Sequence, residues 1–246
     1  MSPEKKMSKR QIMREKRERQ ARLQRLGVIA IMVIGAILVA FALIYPNFKS
    51  IGEIVTVAPN PRPMADGTMM GDPNAPVRID VFEDFQCPSC RIYSEEVETR
   101  IVDTYVVTGQ VYYVFHQYPF IDRASENKES QQSANASMCA AEQGLFWEYH
   151  DTLFANWSGE NAGAFRDERL VAFAETLDLD MDLFKNCFEE NRYRDEIQAD
   201  FDLGTEMGVN STPSVFVNGQ QIAPGFIPSF EDVQQAVEAV LLQAVQ

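Results

Sequence analysis

A Cys-x-x-Cys motif stands between two stretches whose patterns predict different secondary structure. Before it, residues Val77 to Phe82 alternate in polarity and are rich in β-branched and aromatic side chains, which predicts a strand. Behind Cys87-Pro88-Ser89-Cys90, apolar residues recur at helical spacing from Ile92 to Tyr105. Val111 to Phe115 predicts a second strand. This order forms a right-handed crossover with parallel strands, so we expect the motif between the first strand and its helix.

The rest of the chain predicts a helical insertion, a hairpin and a closing helix. The stretches with helical spacing are residues 125–154, 167–177, 180–188 and 194–208. Ser214 to Val217 and Gln220 to Ala223 predict two strands joined by the turn Asn218-Gly219, and a last helix follows Ser229. The order βαβ, an insertion at about residues 122–208, and ββα predicts an α/β domain over residues 76–246.

The N-terminal part contains nineteen residues without a charge, Gly27 to Tyr45, which is about the length that a helix needs to cross a bilayer. Pro46 ends this run, and residues 46–75, with five prolines, predict a linker. Residues 1–26 hold ten Lys or Arg against three Glu. The positive-inside rule then places this head in the cytoplasm and the domain outside it. A cleaved signal peptide, with Ala40-Phe41-Ala42 at its cleavage site, is the alternative interpretation.

The charge is divided between a basic head and an acidic body. The head carries a net charge of +7 and the whole chain −14, so the remainder carries −21. Because phosphate contacts need a positive surface, we expect no nucleic-acid partner for the body. We interpret the head as a topology signal on the inner leaflet, although an arm for RNA or anionic lipid has a similar composition.

The motif predicts redox chemistry because its first cysteine stands at the start of a helix. Unpaired backbone N–H groups and the helix dipole favour a thiolate there, and the pKa of such thiols falls from about 8.5 to about 3.5–7.5. Cys87 is then the nucleophile, and Cys90, one turn later, resolves the mixed disulfide. Pro88 suits the first helical position because it has no N–H.

Three other interpretations of the motif stay open. Half of a zinc site needs a second pair of ligands, and the chain has only His116 and His150, neither of them near a second Cys-x-x-Cys. A structural disulfide across a two-residue loop would constrain the unfolded chain little. A dithiol that binds Cu(I) would use the same two soft ligands.

A second candidate site is Thr212-Pro213, immediately before the strand at Ser214. A proline there removes a donor from the sheet, and a cis Thr212–Pro213 bond would explain its presence. Such a turn leaves the carbonyl and N–H of Thr212 free to pair with an extended substrate. An ordinary trans proline at the start of a strand fits the same spacing.

Three groups of residues in consistent order resemble the DsbA-like thiol–disulfide oxidoreductases. They are Phe82-x-Asp84-Phe85-x-Cys87-Pro88-x-Cys90, Glu142-Gln143-Gly144-x-Phe146-Trp147-x-Tyr149-His150, and Gly208-Val209-x-x-Thr212-Pro213 with Val217-Asn218-Gly219. The resemblance implies a thioredoxin-like fold with a helical insertion. It implies that Cys87 is the exposed nucleophile and Cys90 the buried resolving cysteine. It also implies that Thr212-Pro213 is a cis-Pro loop that faces this pair of cysteines. The candidate residues of the substrate-binding active-site loop are Pro88, Ser89, Thr212 and Pro213.

The resemblance further implies a membrane partner that reoxidises the dithiol, either DsbB-like or similar to vitamin K epoxide reductase.

One position departs from the family pattern. Relatives often carry a buried acid on the first strand, six residues before the first cysteine, where this chain has Val81. Asp80 lies on the opposite face of a pleated strand, whereas Glu83 shares the face of Val81. Glu83 is therefore the candidate for proton transfer.

Cys139 and Cys187 both fall in the predicted insertion. In an exported chain with four cysteines, and with Cys87 paired with Cys90, they form the remaining intramolecular pair. We expect a structural disulfide that joins two insertion helices. Free buried thiols and a second, shuttling redox pair are the alternatives.

These observations predict a membrane-anchored thiol–disulfide oxidoreductase that oxidises cysteines of exported proteins outside the cytoplasm. We expect a monomer with no organic cofactor and no metal, and exported cysteine-containing proteins as its substrates. A disulfide reductase or isomerase, as in cytochrome maturation, would use the same residues at a different potential. A membrane-tethered Cu(I) metallochaperone and a substrate-binding module without catalysis are alternatives from other classes.

Overall fold

The computed structural model describes residues 9–44, 51–124 and 126–244. The chain divides into two compact units, Met1–Ser50 and Ile51–Gln246. Parts of five predicted segments lie outside the described residues: residues 1–8 of the head, Tyr45 at the end of the anchor, residues 46–50 of the linker, residue 125 of the first insertion helix, and residues 245–246 at the end of the domain.

The described part of the first unit is one helix, α1, which spans Lys9–Ile44. Its apolar part, within Lys16–Phe41, reaches a mean hydropathy of 2.2, and by length and composition it is able to cross a membrane. The helix begins well before Gly27 because the basic head consists mostly of good helix formers. The prediction of one N-terminal apolar helix of this length is confirmed.

The second unit is built on a five-stranded sheet with the strand order β1-β3-β2-β4-β5. The strands are β1 (Met69–Met70), β2 (Val77–Glu83), β3 (Val111–Gln117), β4 (Ser214–Val217) and β5 (Gln220–Ile222). β2 and β3 are parallel, with Val81 opposite Phe115, whereas the other neighbours pair antiparallel. The parallel pair and the motif that follows β2 agree with the predicted crossover.

The structure differs from the predicted linker over residues 51–75. This segment belongs to the second compact unit, and β1 lies within it. Met69 pairs with Val114 of β3, and Met70 is fully buried. Prolines and glycines give the segment the composition of a linker, yet Met69 and Met70 form a strand at the edge of the sheet.

The helical run behind the motif extends from Pro88 to Val106 but is not α-helical throughout. α2 (Pro88–Tyr93), a π-helical turn (Ser94–Glu98), α3 (Thr99–Ile101) and a second π-helical turn (Val102–Val106) follow one another. A π-helical turn closes its hydrogen bonds one residue later and so shifts the buried face. Tyr93, the last residue of α2, is fully buried, whereas Ile92, for which the spacing predicts burial, is 43% exposed.

The insertion between β3 and β4 consists of short helices. They are a 3-10 turn (Ile121–Ala124), α4 (Glu129–Ala141), α5 (Phe146–Ala155), α6 (Asp167–Thr176), α7 (Met181–Glu189) and α8 (Arg194–Glu206). The helical region predicted over residues 125–154 is divided, because Gly144 adopts a φ of 74° between α4 and α5. The closing helix α9 (Phe230–Ala244) begins after Ser229, whose hydroxyl accepts a hydrogen bond from the N–H of Asp232.

Buried side chains hold the insertion together and fix it to the sheet. Cys139 of α4 and Cys187 of α7 are fully buried and joined by a disulfide, with a Cα–Cα distance of 5.8 Å. Phe115 of β3 packs edge to face against Phe146 and Trp147 of α5. The insertion thus rests on the strand beside the one that leads to the motif.

His116 of β3 connects the sheet with α8. Its Nε2 lies 2.9 Å from Oδ1 of Asp80, and its Nδ1 lies 2.9 Å from Oδ1 of Asp200. Its ring stacks on Phe82 with a centroid distance of 4.6 Å. Although burial opposes the charged form, hydrogen bonds and charges of the two aspartates raise the pKa of His116 to about 9.

Candidate active site

The loop that carries the motif leaves β2 and is held by Asp84. One carboxylate oxygen of Asp84 accepts a hydrogen bond from the N–H of Gln86 at 2.8 Å, and the other accepts one from Ile121 at 2.9 Å. The N–H of Cys87 donates to the backbone carbonyl of Asp84 at 2.9 Å. Cys87 is therefore fixed as the N-cap of α2, with Pro88 in the first turn.

Cys87 is the more accessible cysteine of the motif, with 8% exposure against 0% for Cys90. Its sulfur lies 3.3 Å from the carbonyl oxygen of Thr212, which accepts a hydrogen bond from the thiol when Cys87 is protonated. A hydrogen bond from the Cys90 thiol lowers the pKa of Cys87 to about 6 against the effect of burial, and the side chain of Thr212 and the backbone N–H groups of Ser89 and Cys90 contribute in the same direction. Cys87 is accordingly a thiolate at neutral pH.

Cys90 has the opposite protonation state. Burial raises the pKa of its thiol well above the usual range, and the hydrogen bond to Cys87 and the charges of Cys87 and Glu83 raise it further. A reactive thiolate therefore stands one helical turn before a buried thiol. A nucleophilic cysteine must be a thiolate, and a resolving cysteine is held as a thiol until it is needed, so the two protonation states fit these two roles.

The Thr212–Pro213 peptide bond is cis, and the loop that contains it faces the motif. Ser214, the first residue of β4, pairs with Phe82 of β2, so the loop lies beside the end of the strand that leads to Cys87. Of the two peptide-bond isomers that the sequence left open, the structure contains the cis form. The predicted loop residues are thus brought together around one sulfur.

Glu83 ends β2 and is buried next to Cys90. Neither of its carboxylate oxygens has a hydrogen-bond partner of good geometry among the described residues. Burial raises the pKa of Glu83 well above the usual range, and the charges of Glu98 and Cys87 raise it further, whereas the Cys90 thiol and Arg62 oppose this. Its position suits proton exchange with Cys90, and that role stays a prediction.

A buried group of charges beside Glu83 was not identified from the sequence. Glu98, His150 and Asp151 offer ligand atoms within 4.8 Å of one another, a spacing that also suits a metal ion. The guanidinium of Arg62 stands between the two carboxylates, 2.9 Å from Glu98 and 2.8 Å from Asp151. The positive charge that such a cluster requires is therefore supplied by the chain itself.

A loop of the insertion borders the motif. The indole N–H of Trp157 donates to the carbonyl of Gln86 at 2.7 Å, and the side-chain oxygen of Gln86 accepts from the N–H of Asn161 at 2.6 Å. Arg91 lies over the ring of Trp157 at 5.7 Å from its centroid. These contacts hold the backbone immediately before Cys87. No local pattern around Trp157 or Asn161 indicates the two hydrogen bonds, because each joins residues more than 70 positions apart.

A model of the thioredoxin family matches residues 64–239, more than half of the chain. The chain belongs to the thioredoxin family. Among curated proteins of similar sequence, the Na(+)/H(+) antiporter NhaA 3 of Salinispora tropica is 36% identical over 151 residues, which are 61% of this chain and 21% of the antiporter. This thioredoxin-family chain thus spans about a fifth of that relative's length. The probable disulfide bond formation protein D of Bacillus anthracis is 25% identical over 174 residues, 70% of this chain and 77% of that protein.

Solved structures of similar fold include a BdbD and a DsbA protein. BdbD from Bacillus subtilis, in its oxidised form, has a TM-score of 0.64 at 20% identity and covers 78% of this chain and 100% of its own. The α-DsbA1 of Wolbachia pipientis has a TM-score of 0.61 at 20% identity and covers 75% of this chain and 95% of its own. The predicted thioredoxin-like fold with a helical insertion, and the resemblance to the DsbA-like proteins, are confirmed.

Proposed function

We propose that this thioredoxin-family protein is a thiol–disulfide oxidoreductase that oxidises cysteines of other proteins. The observation that carries the proposal is the contrast between two neighbouring sulfurs: the pKa of Cys87 is lowered to about 6 and that of Cys90 is raised. The relatives that match over most of their own length are named disulfide bond formation protein D, from Bacillus anthracis and Bacillus subtilis. Their names support the same class of activity.

The reaction begins from the Cys87–Cys90 disulfide. A substrate thiolate attacks the sulfur of Cys87, the bond to Cys90 breaks, and the electron pair goes to the Cys90 sulfur, which takes a proton from Glu83. A second substrate thiolate then attacks the substrate sulfur of the mixed disulfide, and Cys87 leaves as a thiolate. The substrate loses two electrons and becomes a disulfide, while the protein gains them as the Cys87 thiolate and the Cys90 thiol.

The direction of electron transfer, from substrate to protein, follows from the stability of the reduced form of the protein. A thiolate that is stabilised at neutral pH lowers the free energy of the reduced form, which makes the corresponding disulfide a stronger oxidant. The loop at Thr212-Pro213 supports the same use, since its backbone lies at the reactive sulfur and suits pairing with an extended segment of substrate.

The proposal places the catalytic unit outside the cytoplasm, with α1 as a single membrane anchor and the N-terminus inside. The basic residues of the head all precede the apolar run, which supports this orientation. The Cys139–Cys187 disulfide is typical of an oxidising compartment. Exported cysteine-containing proteins are then the substrates of the monomeric enzyme, and a membrane protein, DsbB-like or similar to vitamin K epoxide reductase, restores the Cys87–Cys90 disulfide.

The redox potential tests the proposed direction. Equilibration of the protein with glutathione buffers should give an oxidising value, in the range of about −120 to −180 mV. A reducing value near that of thioredoxin, about −270 mV, would favour a reductase or isomerase instead.

Two activity measurements test the proposed class. Oxidation of a reduced dithiol peptide should be abolished by Cys87→Ala, whereas the Cys139→Ala/Cys187→Ala double variant should retain it. Stoichiometric Cu(I) in the reduced protein, without any thiol exchange, would contradict the enzyme and favour the metallochaperone.

A further inference from the structure

Tyr118, the first residue after β3, contacts both segments that meet at the reactive sulfur. It is fully buried. Its backbone N–H donates to the carbonyl of Glu83, the last residue of β2, at 2.8 Å. Its hydroxyl donates to the carbonyl of Val209 at 2.9 Å, shortly before Thr212 in the chain. One residue therefore connects the end of the strand that leads to Cys87 with the start of the loop that brings Thr212 to it.

The ring of Tyr118 is held in place by its neighbours. It stacks on Phe201 of α8 with a centroid distance of 4.4 Å, and Phe82 packs against it edge to face. A Cβ atom at Gly204 would lie 2.8 Å from the ring, so α8 approaches Tyr118 as closely as only a glycine allows. The hydroxyl also lies 3.3 Å from that of Thr205, which donates to the carbonyl of Phe201. The hydroxyl of Tyr118 thus has a fixed position.

The loop that begins at this hydrogen bond, residues 209–213, is anchored at its other end by Ser214. Ser214 is the first residue of β4, and its hydroxyl donates to the carbonyl of Ser211 at 2.8 Å. Between the two anchors, the carbonyl oxygen of Thr212 lies 3.3 Å from the sulfur of Cys87. The position of the loop at the sulfur therefore depends on a contact at each of its ends.

We propose that Tyr118 is a positioning residue that holds the loop at Thr212-Pro213 ready to pair with an extended substrate. The bond to Val209 is buried, so without the hydroxyl this carbonyl would lose its donor, and the loop would have to move to find another. A backbone that is fixed before binding loses less conformational entropy when a substrate pairs with it. The inference rests on the proposed function, because this pairing holds the substrate while its thiolate attacks Cys87.

Tyr118→Phe removes the hydroxyl and keeps the ring. The oxidised, full-length protein in detergent is mixed with an excess of a reduced dithiol peptide, and tryptophan fluorescence follows the opening of the Cys87–Cys90 disulfide. We expect the half-saturating peptide concentration to rise by about 10-fold, which corresponds to about one hydrogen bond, and the limiting rate to stay the same. The rate constant for dithiothreitol, which is too small to pair with the loop, should equal that of the parent protein.

Tyr149→Phe is the matched control. Tyr149 is also fully buried, and its hydroxyl donates to the carbonyl of Leu170, within the insertion, at 2.8 Å. The variant therefore loses the same kind of hydrogen bond away from the loop, and its half-saturating peptide concentration should equal that of the parent. A rise of equal size in the two variants would mean that Tyr118 contributes only to general stability, and it would overturn the proposal.

Hydrogen exchange tests the loop without a substrate. In Tyr118→Phe the backbone N–H groups of residues 209–214 should exchange faster than in the parent, measured by mass spectrometry of peptic fragments, whereas fragments from α6 and α7 should be unchanged. Parent-like exchange of the loop, or an equal fall in the rates with peptide and with dithiothreitol, would overturn the proposal. Faster exchange of the loop in a protein whose parent oxidises no dithiol would count against the proposed function and not against the role of Tyr118 in holding the loop.

Gly204→Ala provides a second test if Tyr118→Phe does not fold. Because the added methyl group would lie 2.8 Å from the ring of Tyr118, the ring and its hydroxyl must shift. We expect the same selective rise in the half-saturating peptide concentration, with no change in the rate constant for dithiothreitol. A parent-like value in folded Gly204→Ala would overturn the proposal.

Discussion

The sulfur of Cys87 lies 3.3 Å from the carbonyl oxygen of Thr212. The two residues are 125 positions apart, and they meet because β4, which follows the Thr212 loop, pairs with β2, which precedes the motif. The side chain of Thr212 also contributes to the low pKa of Cys87. The loop proposed to bind substrate therefore also tunes the nucleophile.

Thr212→Val removes the hydroxyl and keeps the shape of the side chain. We expect the pKa of Cys87 to rise above its value of about 6, because a hydrogen bond that favours the thiolate is lost. The measurement is a pH titration of the thiolate absorbance in the ultraviolet. Thr176→Val is the control, since the hydroxyl of Thr176 donates within its own helix, to the carbonyl of Phe173. Identical titrations in the two variants would contradict the prediction.

Glu83→Gln keeps the size of a buried side chain and removes its acidic proton. We expect cleavage of the Cys87–Cys90 disulfide by a substrate thiol to slow by about 100-fold at neutral pH, the usual contribution of a general acid. Stopped-flow fluorescence of the two tryptophans can follow the reaction. Glu95→Gln is the control, because Glu95 is half-exposed and pairs with Arg91 on the surface. A parent-like rate in Glu83→Gln would exclude this carboxyl as the proton donor.

The parts of the site that depend on near neighbours in the chain could be predicted from the sequence. Cys87 and Pro88 lie between a strand and a helix, and the change from strand to helix spacing is visible in the neighbouring residues. The position of Glu83 followed from the two-residue period of a strand. Asn218-Gly219 likewise indicated the hairpin between β4 and β5.

The buried charges could not be predicted, because they depend on contacts between distant segments. Glu98 lies in a π-helical turn that hydrophobic spacing does not reveal, and Arg62 stands in a segment with the composition of a linker. His116, at the end of β3, likewise binds distant residues, Asp80 and Asp200. Asp200 comes 84 residues later, on α8.

The disulfide between Cys139 and Cys187 should stabilise the insertion without taking part in catalysis. The two cysteines are 48 positions apart, and closing a loop of that length stabilises a protein by about 4 kcal/mol in the chain-entropy treatment. We expect Cys139→Ala/Cys187→Ala to lower the free energy of unfolding by an amount of this order, measured by urea denaturation. Cys87→Ala/Cys90→Ala, which opens only a two-residue loop, should change it far less. Equal stability of the parent and the first variant would refute the prediction.

His116 should make the stability of the fold depend on pH. Its pKa is raised to about 9 in the folded protein, compared with about 6.5 in an unfolded chain. Because the folded value is the higher one, the stabilisation is complete below about pH 6.5 and is lost as the pH rises through about 9. We expect the free energy of unfolding to fall by up to about 3 kcal/mol across this window, measured by urea unfolding at a series of pH values.

His116→Gln separates this contribution from those of other groups that titrate nearby, among them Asp84, with a pKa raised to about 7 chiefly by burial. The variant should be less stable than the parent at about pH 6, where the imidazolium pairs with Asp80 and Asp200. The difference should shrink towards about pH 10, where the ring is neutral and gains little from the two carboxylates. If the difference in stability between parent and variant were the same at the two pH values, His116 would act through its packing on Phe82 and not through its charge.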